Sequence, residues 1–231
     1  MTARALLTTT LAMFGAASAM ANVPTIIDGT ITAGEWAGAA TYTIGNGGGT
    51  AFLRADTNFI YGAFDITGWD PNASGNMIGN LLGFGVWKAN GGYGTSPGVE
   101  FQQSTTAAAW GGDGPSGTMN GLASAFRINT VLQGSIDPTL QAMDSFATGH
   151  RVWEVMMPIS TMGVSAGDTI YVVGGINYGA QQHWYPDTVL PSFTDYAPVL
   201  VAEVVPEPSF YGALALGLGG LVTVVRRRKR A

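Results

Sequence analysis

The chain has 231 residues, no cysteine, two histidines and 34 glycines. Without cysteine it forms no disulfide and does no thiolate chemistry, and two histidines cannot build a three-histidine metal centre. All 15 acidic residues fall between Asp28 and Glu207, where only Arg54, Lys88, Arg127 and Arg151 are basic; 15 negative against 4 positive charges leave that stretch at −11, which repels nucleic acid and anionic lipid and suits calcium-rich or polysaccharide surroundings.

The N-terminus places Arg4 before "ALLTTTLAMFGAASAMA" (5–21), a mildly apolar run ending in small residues. Charge, apolar run and small-x-small site in that order predict a signal peptide over 1–21, an N-terminal signal helix removed by signal peptidase. Cleavage is expected after Ala21, with Ala19 the competing position.

Between Asn22 and Val204 helical periodicity is nearly absent. Short β-rich runs follow one another: "YTI" (42–44), "TAFLRAD" (50–56), "FIYGAFDIT" (59–67), "MIGNLLGFGVW" (77–87), "VEFQQ" (99–103), "AFRINTVL" (125–132), "RVWEVMM" (151–157), "TIYVVGGINY" (169–178) and "VLVAEVV" (199–205). Thr57-Asn58 suits a tight hairpin turn, and "TTAAAWGGDGPSGTMNG" (105–121) reads as a long loop. Many short strands separated by Gly, Asn, Asp and Pro predict an all-β fold, a single antiparallel β-sandwich of jelly-roll type over 22–204.

Three stretches of this body carry a resemblance. "IDGTITAGEWAGAATYTI" (27–44), "LRADTNFIYGAFDITG" (53–68) and "WEVMMPISTMGVSAGDTIYVVGGINY" (153–178) resemble the family 9 carbohydrate-binding modules and their bacterial relatives. The resemblance implies the sandwich fold and, as a ligand, extracellular polysaccharide.

Aromatic residues are the first candidates for a binding surface. Trp36 in the Glu-Trp motif and Trp153, beside Val155 and Met157, are expected in the core. Trp69, Trp110 and Trp184-Tyr185 stand among Gly, Asp and Pro, as in loops, and are the candidate carbohydrate-binding residues; Trp87 and Tyr93, flanking "KANGG", are candidates to join them. An exposed ring stacks on the C–H face of a sugar, and the competing reading folds these rings back over the core. Asp65, Asp70 and Asn72 offer hard oxygens that suit Ca²⁺, against the favoured reading of an Asx turn at Asp70 and Asn72. No other cofactor is expected.

Catalysis has little support. Gly94-Thr95-Ser96-Pro97-Gly98 matches G-x-S-x-G, yet Pro97 has no N–H for an oxyanion hole. His183 adjoins Trp184 and Tyr185 and fits a ligand surface better than a metal. No catalytic residue is assigned, and the chain is expected not to be an enzyme; a glycosidase pair among the carboxylates is not legible from sequence.

The chain closes with Pro206-Glu207-Pro208, the uncharged run Phe210 to Val225, and the basic residues Arg226, Arg227, Arg228, Lys229 and Arg230. As a helix the 16-residue run spans about 24 Å against a hydrocarbon core of about 30 Å, a marginal transmembrane helix whose basic end stays cytoplasmic. Over residues 205–231 this resembles the PEP-CTERM sorting signal of Gram-negative bacteria, which implies recognition by an exosortase and a link to exopolysaccharide. The combined expectation is an exported protein, tethered to the inner membrane as a precursor and then placed at the cell surface or in the matrix. Its partners would be signal peptidase, exosortase and polysaccharide, not nucleic acid. The alternative is a structural biofilm or matrix protein without specific sugar binding.

Overall fold

The computed structural model describes residues 26–45, 47–69, 81–104, 116–147, 149–178, 181–186 and 196–202. The expected signal peptide and sorting signal lie outside these residues, and among the described residues no helix is long and apolar enough to cross a membrane. Among the described residues thirteen strands follow in order: β1 (Ala40–Ile44), β2 (Gly49–Ala55), β3 (Phe59–Trp69), β4 (Leu81–Trp87), β5 (Gly98–Ser104), β6 (Gly117–Met119), β7 (Leu122–Ile128), β8 (Val131–Leu132), β9 (Gln141–Ala147), β10 (Gly149–Pro158), β11 (Thr169–Tyr178), β12 (Gln181–Tyr185) and β13 (Ala197–Leu200). One 3-10 turn, Ser160–Met162, joins β10 to β11.

The strands form two antiparallel sheets, within the compact unit Thr25–Glu203. The first runs β1-β2-β3-β10-β9 and the second β12-β11-β4-β5-β7-β6, with β13 on the same edge of β11 as β12 and β8 beside β6 on β7. Alternation explains the layering. In β2, Ala51, Leu53 and Ala55 are buried while Thr50, Phe52 and Arg54 between them are only half-buried. Phe64 of β3 stacks on Trp153 of β10 at 5.1 Å, meets Phe84 of β4 edge-on at 5.6 Å and lies 5.0 Å from Tyr185 of β12. These rings join the two sheets, and burying each contributes about 1.5–3 kcal/mol. The indole N–H of Trp153 donates to Gln103 Oε1 at 2.8 Å, so the core carries no orphaned donor there.

The segment before β1 is bound to the outer face of the first sheet. Glu154, with no exposed surface, points outward from β10 and accepts from the backbone N–H of Asp28 at 3.0 Å, that of Gly29 at 2.9 Å and the indole N–H of Trp36 at 3.2 Å. Gly29 has φ +81°, which turns its carbonyl to accept from Ser145 Oγ at 2.6 Å. The Ile-Asp-Gly and Glu-Trp motifs are therefore the two halves of a clasp closed by Glu154.

Several elements differ from the sequence reading. "AFRINTVL" (125–132), expected as one strand, is β7 and β8 folded into a hairpin through Asn129 and Thr130, both at positive φ. The 105–121 stretch holds the short strand β6, which closes on β7 through Asn120 and Gly121, both at positive φ. β9 and β12 have too few apolar residues to be read as strands; the ladders of β10 and β11 hold them. The β2–β3 connection is the tight hairpin turn expected at Thr57-Asn58, held as an Asx turn: Asp56 Oδ1 accepts from the N–H of Asn58 at 2.7 Å and of Phe59 at 2.8 Å.

Candidate functional site

The relative direction of the two sheets decides which loops share an end. A parallel bridge links Ala55, at the end of β2, to Val201, just after β13. β2 runs antiparallel to β3, with Ala55 opposite Ile60, and β13 antiparallel to β11, with Leu200 opposite Thr169. The N-terminal ends of β3 and β11 therefore lie together, and so do their C-terminal ends.

At that C-terminal end β3 finishes at Trp69, opposite Gly149 of β10, where a bulge shifts the register. β4 begins there at Leu81, opposite Asn177 of β11 and Ser104 of β5. β12 turns back from β11 at the same end and brings Trp184 opposite Gly175. The end of β3 and the β11–β12 hairpin thus share one end of the sandwich, Trp69 at the last residue of β3 and Trp184 three register positions in from the end of β11. The chain leaves β5 at this end too, towards Trp110, which lies outside the described residues.

Trp184 is in a strand, not a loop. Its neighbour Tyr185 is a correction: the ring has no exposed surface, packs on Phe64 and donates its hydroxyl to the Gly83 carbonyl at 2.7 Å. Burial drives the phenol pKa well above its usual value. A ring enclosed on all sides cannot stack on a sugar. It fits because Gly174 lies beneath it, where an added Cβ would fall 1.6 Å from the Tyr185 hydroxyl.

At Gly175, the register partner of Trp184, the outer face of the second sheet is locally bare. Gly83 faces Gly175, with the Gln102 side chain at its border. Gln102 Oε1 accepts from Arg127 at 3.2 Å. One step further, Glu100 and Arg127 are opposite in register and only 8% and 7% exposed, although they point away from the core. Glu100 Oε1 is buried without a hydrogen-bond partner. Burial pushes the Glu100 carboxyl above its ordinary range, and the charge of Arg127 opposes this.

Asp65 lies inside β3, as the 59–67 strand reading expects, and its carboxylate is paired with His150 Nε2. Asp70 and Asn72 lie outside the described residues, and no group of three His, Asp or Glu among the described ones is arranged for a metal. Trp87 is 3% exposed and stands at the other end of β4, so it does not join Trp69. Ser96 sits in the hairpin loop between β4 and β5, its hydroxyl donating to the Gly92 carbonyl at 3.4 Å; there is no strand-to-helix elbow. Trp36 and Trp153 are buried as expected, at 6% and 0%.

No family model matches the chain, and no curated protein matches it in sequence. Two solved structures share its fold. A family 9 carbohydrate-binding module from Caldicellulosiruptor kristjanssonii in complex with glucose superposes with a TM-score of 0.50 at 7% identity, over 79% of this chain and 93% of the module. The same kind of module in complex with cellotriose gives 0.50 at 8% identity, over 78% and 93%.

Proposed function

We propose that the protein is an exported polysaccharide-binding module that holds sugar at the end of the sandwich bearing Trp69 and Trp184, with Trp110 contributed from the segment after β5. The observation that carries this reading is the convergence of β3 and the β11–β12 hairpin on one end of a fold shared with sugar-binding modules. The glycine-bare face with Gln102 beside Trp184 supplies room and hydrogen bonds. Stacking on an aromatic ring removes apolar surface from water without a charged partner, which suits an acidic body. Among the described residues of the site nothing is arranged as a nucleophile with its base, and the reading is non-catalytic. Export through the N-terminal signal and exosortase sorting through Pro206-Glu207-Pro208 and Arg226 to Arg230 complete the proposal. It is supported by the order of those motifs.

Affinity electrophoresis of the full chain in polysaccharide gels tests the site. One Trp→Ala change at Trp69, Trp110 or Trp184 should weaken binding about ten-fold or more, since one buried ring contributes about 1.5–3 kcal/mol. Trp36→Ala and Trp153→Ala should instead lower the melting temperature. If the first three variants melt early and migrate as wild type does, the rings are structural, and the protein is a matrix component without a sugar site.

A further inference from the structure

We propose that Tyr93 is a second glycan platform, at the end of the sandwich opposite Trp69, so that one body holds a polysaccharide chain at two places. The inference rests on the polysaccharide reading above and adds valency to it. Tyr93 is at the tip of the β4–β5 loop with 47% of its surface exposed. The loop is tied at every turn: Lys88 N–H donates to the Pro97 carbonyl at 2.9 Å, Thr95 and Ser96 N–H both donate to the Gly92 carbonyl, and Asn90 Oδ1 accepts from the Tyr196 N–H at 3.2 Å. An exposed ring on a fixed loop has little conformational entropy left to lose on binding.

The ring is also backed. Trp87 lies 5.7 Å away, and Tyr196 is 5.4 Å from Trp87 on its other contact. The Trp87 indole rests flat on the second sheet, because Gly85 and Gly98 lie beneath it; an added Cβ there would fall 2.3 Å and 2.4 Å from its ring atoms. Three aromatics in tilted contact, at 55° and 49° between planes, thus end in one exposed ring.

Its surroundings select the ligand. Lys88, Asn90 and Thr95 are exposed in the same loop, and the space over Gly94 is open. Residues 88–98 contain no carboxylate. An exposed aromatic face in a loop that offers the Thr95 hydroxyl and the Asn90 amide, the Lys88 ammonium being held by the Gly163 carbonyl at 2.7 Å, fits the C–H face and hydroxyls of a neutral sugar. The two platforms are too far apart for one sugar ring: β4 alone, Leu81–Trp87, separates its ends by about 20 Å at about 3.3 Å per residue. A chain long enough to reach both gains avidity that a short one cannot.

Titration calorimetry on the full chain, with a panel of neutral β-glucans each offered as polymer and as trisaccharide, tests this. Tyr93→Ala should lose about ten-fold or more on the polymer yet bind trisaccharide, held at the Trp69 end, as wild type does. Tyr93→Phe, which keeps the ring, should match wild type on both. Trp69→Ala should lose on both, which identifies the first site separately. Wild-type affinity of Tyr93→Ala for the polymer would overturn the proposal. So would equal loss on both lengths with an early melt, which would make the ring structural. A wild type silent on the whole panel would overturn this proposal and the polysaccharide reading together.

Discussion

At the scale of single residues, two outward-facing glutamates meet opposite situations. Glu154 is buried among three N–H donors, whereas Glu100 is buried with one oxygen unpartnered. Burial raises both carboxyl pKa values, but only at Glu154 do hydrogen bonds to the carboxylate oppose the rise. An acid whose pKa is higher folded than unfolded contributes its stability below the unfolded value, ordinarily near 4.5, and loses it as pH rises through the folded value. Wild-type protein should therefore lose stability from about pH 5 upward through this group. Glu100→Gln should flatten that part of the profile and melt higher than wild type at pH 7. Thermal melts of both proteins between pH 4 and 8 check the sign; parallel profiles would show that Arg127 holds Glu100 ionised without cost.

The opening segment is the element whose role the sequence shows least directly. Its motifs are legible as letters, but their meaning depends on Glu154, 126 residues away from Asp28. Glu154→Ala would leave Trp36 Nε1 and two backbone N–H groups without their acceptor and should cost about 3 kcal/mol. Chemical denaturation should show it, with faster proteolysis within 26–39. Loss under 1 kcal/mol would mean that water replaces the clasp. Strands read well where alternation or aliphatic runs mark them, as in β2, β3, β5, β10 and β11. β9, "QAMDSFA", and β12, "QQHWY", carry too little apolar pattern, because edge strands draw their order from a neighbour's ladder. Tyr185 was misread for a related reason. Flanked by Trp184 and Pro186 it resembles a loop residue, and the mark of its inward place is Gly174, in another strand. The shared end of Trp69 and Trp184 was not legible at all, since it follows from the bridge between Ala55 and Val201.

For the whole molecule, the all-β sandwich was legible and its addressing awaits measurement. The proposed export predicts that protein recovered from its native host has lost residues to about Ala21 and the tail beyond Pro206-Glu207-Pro208. Intact-mass analysis decides this; a mature form retaining Arg226 to Arg230 would sink exosortase processing.

The stitch between Ala55 and Val201 also sets the order of assembly. β3 finds its partner β10 only after about eighty intervening residues, and the Ala202 N–H bonds the Ala55 carbonyl across a longer separation still. Contacts this distant in sequence put folding in the millisecond-to-second range rather than microseconds. A chain delivered N-terminus first would hold hairpins such as β2–β3 early, but neither sheet could close before β10 and β11 emerged. It would thus remain threadable through a narrow passage for most of its length and lock only after delivery was nearly complete.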